Sequence, residues 1–399
     1  MTTRFTKGAA TAAALALLLA ACGGDNGGGE KDGGDTTGAA ATAGGDTAAK
    51  GQAPAGGGGQ QAAGPGQDNG PKAKVGPNEL GRILVLEYHR IGNNEGEWVR
   101  SAANFRKDLR TLYEHGYRPV TMKDVASGNI NIPAGTSPVV FVFDDSSLGQ
   151  FYYRPDGSID PGTMMGMWAA FKEQNPAWSG GGVWCVLPGA THPSNFWGEK
   201  PSGQTPREER EATIRKKVTY LVQNGHELCN HTMWHAQLSK YPDAFVQDQL
   251  GSGQDSIMAY LPADYKITTM ALPLGLWPKN RQLAWTGTYR NGKRYNYDVV
   301  LEVSGGPQVS PFDKRWDGHS VDRFIVAPGA LERQLAHWEQ NPAERYVSDG
   351  DPNVVSYPAR AAANLAQNRL GNRRAQQVAD AAGPAPQAGA PPAQPTTGT

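Results

Sequence analysis

The chain has no excess of charge of either sign. Its 399 residues include 38 Lys and Arg against 38 Asp and Glu, so the formal net charge is zero. Domains that bind nucleic acid usually carry a clearly basic face, and binding to any strongly anionic polymer needs a similar attraction. The composition therefore predicts no nucleic-acid partner and favours a partner that is not strongly charged.

The chain also lacks a long hydrophobic run. The apolar stretch at residues 9–21 is too short to cross a bilayer comfortably as a permanent helix. It follows a short basic segment and ends in Leu19-Ala20-Ala21-Cys22, which is typical of a secretory signal. This ending resembles the bacterial lipoprotein signal; the alternative is an ordinary signal peptide with a chance Cys.

The lipoprotein resemblance implies that residues 1–22 form the signal region and that Cys22 is lipidated. We therefore expect an exported protein, held by a lipid anchor on the outer face of a bacterial cell membrane. Membrane fractionation of a Cys22→Ser variant tests this expectation, because tight membrane association of that variant would contradict it.

Cysteine is scarce, with only Cys22, Cys185 and Cys229 in the chain. If Cys22 carries lipid, an even pair remains in an oxidising compartment, where disulfides persist. The pair is compatible with a disulfide or with two separate buried thiols.

Both ends of the chain have low-complexity composition. Residues 23–77 are rich in Gly and Ala and cannot bury enough apolar surface to offset ordering entropy, so we expect a disordered tether. Residues 361–399 are expected to form a helical segment and then a low-complexity tail. The intervening residues 78–360 have the length of one α/β domain.

Apolar runs and amphipathic segments alternate through this domain. Alternating strands and helices predict a mostly parallel sheet, whose functional residues gather at the carboxyl ends of the strands. The predicted strands are residues 83–88, 138–143, 182–187, 226–230, 268–272 and 298–303. The predicted helices are residues 102–115, 162–175, 206–224, 242–261 and 331–338.

Two adjacent carboxylates, Asp144 and Asp145, follow the predicted strand at 138–143. Neighbouring residues of a strand point in opposite directions, so one carboxylate can bind a metal while the other has a second task. The alternative is a turn in which an Asp caps the next helix.

Two histidines, His231 and His235, follow the strand at 226–230. At this spacing they would share one face of a helix and could bind one metal ion. Two His and one carboxylate leave coordination positions open, as in catalytic sites, and suit Zn²⁺ foremost, with Co²⁺, Ni²⁺ or Fe²⁺ as alternatives. The alternative is a pair of unrelated core or surface histidines.

Three segments together resemble the polysaccharide deacetylases of carbohydrate esterase family 4. They are Phe143-Asp144-Asp145, the stretch at 225–238 that contains both histidines, and Leu-Glu-Tyr-His-Arg-Ile-Gly at 86–92. The resemblance implies an irregular (β/α) barrel and a metal-dependent hydrolase. Its substrate would be an acetylated cell-wall or extracellular polysaccharide, losing N-acetyl or alternatively O-acetyl groups.

The resemblance also implies residue roles. Asp145, His231 and His235 would bind the metal, and Asp144 would be the general base. The position of the family's orienting Arg holds Ala271, so Arg281 or Lys279 would have to replace it. An amine leaves only when protonated.

No histidine stands at the usual late position of the general acid. His319 is therefore our candidate for it, against the alternative of a solvated loop histidine. If the Arg and the acid are absent, the second reading is a weakened glycan-binding or scaffold lipoprotein that keeps the metal site.

Three further residues enter the predicted site or stand beside it. Trp234, inside the histidine motif, is the candidate wall of a glycan groove, and Pro273 is the candidate substrate contact of the turn that follows the strand at 268–272. His89 follows the first strand, and we interpret it as a buried histidine bonded to backbone, with a place near the site as the alternative.

Overall fold

The computed structural model describes residues 68–191, 194–198 and 205–380. The predicted signal region with Cys22, the tether up to residue 67 and the tail after residue 380 lie outside these residues. Within them, no helix combines the length and the apolar character that a membrane span requires.

The described chain alternates strands and helices. The strands are β1 Leu84–Tyr88, β2 Arg90–Ile91, β3 Val99–Arg100, β4 Tyr117–Pro119, β5 Ser137–Phe143, β6 Val183–Val186, β7 Glu227–Asn230, β8 Thr269–Ala271, β9 Thr286–Tyr289, β10 Lys293–Asn296, β11 Val299–Gly305, β12 Val321–Ile325, β13 Val354–Pro358 and β14 Arg374–Val378. The helices are α1 Ala102–Glu114, α2 Met122–Ser127, α3 Met164–Gln174, α4 Arg207–Gln223, α5 Asp243–Met258 and α6 Ala330–Gln340.

Seven parallel strands close into a barrel. The sheet order is β1-β12-β11-β8-β7-β6-β5-β4, and β1 also pairs with β5, which closes the ring. Strand β4 pairs with the first residues of β5, while β6 pairs with its last residues. The predicted irregular (β/α) barrel is confirmed.

Side chains alternate between the two faces of the barrel wall, as the pleat of a strand requires. Leu86 and Phe141 face outward and pack with the helices in one hydrophobic cluster. Val85 and Val142 face the barrel interior in a second cluster. By this alternation Glu87, which follows Val85 by two positions, belongs to the interior face.

The disulfide that the sequence left open is formed. Cys185 and Cys229 are direct partners in the register of β6 and β7 and are bonded to each other. Both belong to the interior cluster, so the bond joins two neighbouring strands of the barrel wall.

The structure differs from the sequence predictions at both ends of the domain. Asp68, inside the predicted tether, pairs with Arg118 at 2.6 Å, so ordered packing begins before residue 78. After residue 360 the chain forms short 3₁₀ turns and then β14, which pairs with β13, in place of the helical segment that was expected.

Candidate metal centre

Four predicted site residues meet at the carboxyl edge of the barrel. Asp144 and Asp145 directly follow β5, and His231 directly follows β7. Asp145 Oδ1 lies 3.4 Å from Nε2 of His231 and 3.4 Å from Nε2 of His235. One ligand atom from each of these three residues falls within 4.8 Å of the others, which is the spacing that a shared metal ion needs.

The histidine motif does not form the helix that its spacing suggested. Thr232 and His235 have φ angles of 67° and 59°, in the left-handed region, and the segment is a loop. Asp145 is also left-handed, with φ of 73°. Non-glycine residues rarely adopt this backbone region, and such residues concentrate at functional sites. The two rings converge through these turns rather than through helical periodicity.

His231 offers its free nitrogen to the cluster. Its Nδ1 lies 3.0 Å from the Ala271 carbonyl oxygen, which fixes the proton on Nδ1 and leaves the Nε2 lone pair for a ligand bond. That Nε2 is buried and has no hydrogen-bond partner in the part of the chain that the structure describes. A buried nitrogen without a partner costs free energy, and a metal ion would satisfy it.

Charge in the cluster also suits a cation. Burial would raise the pKa of Asp145, but the adjacent His231 imidazole outweighs burial and holds that pKa below its usual range. Burial lowers the pKa of His235 to about 4, so its ring is neutral near pH 7. Metal binding requires deprotonated ligands, and Asp145 and His235 meet that condition. Burial would lower the pKa of His231, but the Asp144 and Asp145 carboxylates outweigh burial and raise it, so a metal ion bound there would displace a proton from its Nε2.

The cation beside Asp144 is Arg323, which sequence reasoning did not identify. Its Nη1 lies 2.8 Å from Asp144 Oδ2, and its Nε lies 3.2 Å from Glu87 Oε2. Arg323 is contributed by β12 and is fully buried. Burial would raise the pKa of Asp144, but the guanidinium keeps that pKa below its ordinary value, so the carboxylate is ionised.

Arg281 and Lys279, the two cations that the sequence suggested as partners of Asp144, do not pair with it. The Arg281 guanidinium stacks on the Trp277 ring at 3.7 Å and reaches Glu302 at 4.0 Å. Lys279 is exposed. The Ala271 position therefore carries no cation, while a different strand of the barrel supplies one.

His89 lies in the site, contrary to our interpretation of it as only a backbone-bonded histidine. Its Nε2 is 3.5 Å from Glu87 Oε1, and its ring meets the edge of Trp98 at 4.8 Å between centroids. Burial lowers the pKa of His89 and raises that of Glu87 to about 8. Gln150 donates from Nε2 to the carbonyls of His89 and Asp144, which ties the two strand ends together.

A cavity of about 270 Å³ joins these groups. Its polar lining includes His89, Asp144 and the three clustered residues Asp145, His231 and His235. The apolar lining comprises Trp98, Leu272, Leu274 and Val303.

A second cluster in this cavity does not suit a metal. Glu87, His89 and Asp144 are close enough to share an ion. Arg323 already pairs with Asp144 at 2.8 Å and lies 3.2 Å from the Glu87 carboxyl, so its positive charge would repel a cation there. The arrangement therefore leaves Asp145, His231 and His235 as the group that suits a metal, beside the Arg-paired carboxylate of Asp144.

Of the two predicted substrate contacts, Trp234 lines a groove beside the cluster and Pro273 does not reach the cavity. Trp234 lines a groove of about 550 Å³ together with Asp145 and His235. Pro273 itself is buried, and its neighbours Leu272 and Leu274 line the cavity instead.

His319 is not brought to the cluster. It precedes β12, at the end of the barrel opposite Asp144, and it stacks on Trp285 at 4.5 Å. The assignment of His319 as the general acid is wrong on this placement, because a proton donor must reach the reacting atoms.

A signal for Arg323 does exist in the sequence. In Val-Asp-Arg-Phe-Ile at 321–325, residues 321, 323 and 325 lie at every second position, as on one face of a strand, but no strand was predicted there. An Arg is rarely buried in a strand unless it is paired, so the sequence provided little reason to expect Arg323 in the barrel wall.

Comparison with known families supports the resemblance found in the motifs. Residues 199–288 match the family model described as polysaccharide deacetylase. The matched range contains His231 and His235, while Asp144, Asp145 and Arg323 lie outside it. No curated protein sequence matches the chain significantly.

Three solved structures are similar to part of the chain at low sequence identity. The Streptococcus pyogenes deacetylase PplD, in complex with acetate, has 16% identity and a TM-score of 0.45 over 64% of this chain and 97% of that one. IcaB from Ammonifex degensii has 18% identity and a TM-score of 0.44 over 65% and 97%. A de-N-acetylase from Aggregatibacter actinomycetemcomitans has 15% and 0.38 over 62% and 95%. At this low identity, any conclusion about the reaction has to come from this chain's own residues.

Proposed function

We propose that the protein is a metal-dependent hydrolase that removes N-acetyl groups from a polysaccharide. The observation that carries this proposal is the open cluster of Asp145, His231 and His235 beside an ionised, Arg-paired Asp144. Closed structural metal sites use four protein ligands, whereas hydrolytic sites use three and leave a position for water or substrate. The family match over residues 199–288 supports the same conclusion.

Asp145, His231 and His235 would hold the metal, with Zn²⁺ as the first candidate. A divalent ion bound there would polarise the acetyl carbonyl and lower the pKa of a water molecule. The fit rests on the unpartnered His231 Nε2 and on the neutral His235 ring beside an anionic Asp145.

Asp144 is placed to accept the proton of the attacking water. Its Oδ2 is occupied by Arg323, while its Oδ1 is buried and has no hydrogen-bond partner among the described residues. Arg323 thus fixes the orientation of the carboxylate and leaves one oxygen free to act as the base. A positioned base of this kind typically contributes about 10²–10⁴-fold to the rate.

His89 replaces His319 as the candidate proton donor. Because burial lowers its pKa, the ring must take up a proton during the reaction before it can donate one. When water adds to the acetyl carbon and the C–N bond breaks, acetate leaves and the sugar nitrogen must take up a proton. His89 lies in the same cavity as Asp144, and the Glu87 carboxyl faces its Nε2 at 3.5 Å. The side chain is only 13% exposed, which holds the ring at the cavity wall.

The apolar residues that line the cavity suit the acetyl methyl group. Leu274 projects into it from a left-handed backbone position, with φ of 58°. Leu272 and Val303 complete this wall. Removal of apolar surface from water favours binding of a methyl group here.

Two alternatives to N-deacetylation follow from the sequence. The site could also hydrolyse O-acetyl esters, whose alkoxide leaving group depends less on a proton donor. A weakened glycan-binding protein was suggested because the family Arg and acid were not visible. Arg323 and His89 provide groups of both types near Asp144, which favours the catalytic proposal.

The proposal is tested by acetate release from oligomers of N-acetylglucosamine. We expect release by the Zn²⁺-loaded full-length protein, loss of release after chelation and recovery when the metal is restored. An O-acetylated glycan assayed in parallel distinguishes the two linkages. Metal bound at one equivalent without acetate release from either glycan would support the binding protein instead.

A further inference from the structure

Exposed apolar side chains concentrate at the site. Among the described residues, the large hydrophobic side chains that are exposed are Leu274 at 57%, Trp234 at 52% and Tyr241 at 39%. Leu274 lines the catalytic cavity and Trp234 lines the adjoining groove. Contiguous exposed apolar groups mark interaction sites, whereas isolated ones need no explanation.

Tyr241 is connected to Trp234 through the ring of Phe245. Its ring stacks on Phe245 at 4.2 Å between centroids with planes 25° apart, and Phe245 lies 6.2 Å from Trp234. These three rings form a continuous row, which we call the aromatic strip. Its inner end, Trp234, shares the groove with Asp145 and His235.

The position of Trp234 is fixed by its surroundings. Its backbone N–H donates to Gln249 Oε1 at 3.1 Å, and the Gly189 N–H donates to the Met233 carbonyl at 2.9 Å. A Cβ on Gly189 would lie 2.6 Å from the indole Nε1. The absence of a side chain at position 189 therefore leaves room for the indole to pack against this backbone. The indole thus packs against Gly189 on one side, while about half of Trp234 remains exposed to solvent.

We infer that the aromatic strip binds further sugar units of a linear amino-sugar glycan, leading from the cavity across Trp234 to Tyr241. This inference rests on the proposed function, which places one sugar in the cavity. Aromatic rings bury apolar area at low entropy cost and offer flat faces to ligands. The exposed polar groups of Asp243 and Asn280 lie beside the outer end and suit hydroxyl groups. The strip therefore provides binding positions for sugar units beyond the one in the cavity.

The test compares N-acetylglucosamine oligomers of one and five sugars with the Zn²⁺-loaded full-length protein. We expect kcat/KM to rise with length. In Tyr241→Ala, the advantage of the pentamer over the monomer should fall about tenfold, equivalent to about 1.4 kcal/mol, mainly through KM. Tyr241→Phe keeps the ring and should retain the advantage, and thermal unfolding checks that each variant is folded.

Binding of the pentamer to an Asp144→Asn protein separates this inference from the proposed function. If that binding weakens on adding Tyr241→Ala while no variant ever releases acetate, the strip holds and the deacetylase proposal fails. If acetate is released but Tyr241→Ala changes neither pentamer KM nor pentamer binding, the strip is wrong and the deacetylase proposal stands.

Discussion

Replacement of Arg323 by Ala is expected to lower acetate release by at least about hundredfold, because Asp144 loses the group that fixes its orientation and charge. The same change should destabilise the fold. Arg323 is fully buried between Asp144 and Glu87, and removing one partner of a buried ion pair typically costs about 3–5 kcal/mol. Activity is measured well below the midpoint of thermal unfolding, and stability by denaturant titration.

Arg281→Ala provides the matched control for this variant. Arg281 is the exposed cation that the sequence suggested as the partner of Asp144, and in the structure it stacks on Trp277. We expect nearly unchanged activity and stability for it. Full activity in a folded Arg323→Ala protein would show that Asp144 does not depend on this guanidinium.

Replacement of His235 by Ala is expected to weaken metal binding by more than about hundredfold, since even changes around the ligands of a metal site cost about 10–100-fold. Acetate release should fall with the metal content. His235 is the cleaner of the two histidines to change, because its side chain is 29% exposed whereas that of His231 is 1% exposed. His231→Ala should lose metal as well, with an added loss of stability.

His319→Ala is the control for metal analysis. That histidine stacks on Trp285 at the opposite end of the barrel, so the variant should bind metal as the unchanged protein does. Equal metal content in His235→Ala and His319→Ala would remove His235 from the proposed ligand set.

Strands with uninterrupted apolar sequence were predictable. Strand β5 is buried along its whole length, and its near-continuous apolar run is what a doubly covered strand requires. Strand β12 was not predicted because Asp322 and Arg323 interrupt it. The buried Arg323 of this strand pairs with Asp144, 179 positions away in the chain, and local sequence patterns do not contain such a contact.

In the candidate site, too, some features could be predicted from the sequence and others could not. The Asp pair and the His pair are visible as short motifs at strand ends, so their convergence could be expected from a parallel sheet. Their local geometry could not, because the helix predicted for His231 and His235 is a loop with two left-handed residues. His89 stands in the motif at 86–92, but its role depends on closure of the barrel between β1 and β5.

The central claim is a division of labour in which Asp145, His231 and His235 hold the metal while Asp144 moves the proton. The most direct test measures metal content and acetate release in the same preparation of Asp144→Asn, whose amide oxygen can still accept from Arg323. We predict metal at the level of the unchanged protein and acetate release reduced by at least about hundredfold. Retained acetate release, or loss of the metal together with the activity, would contradict this division.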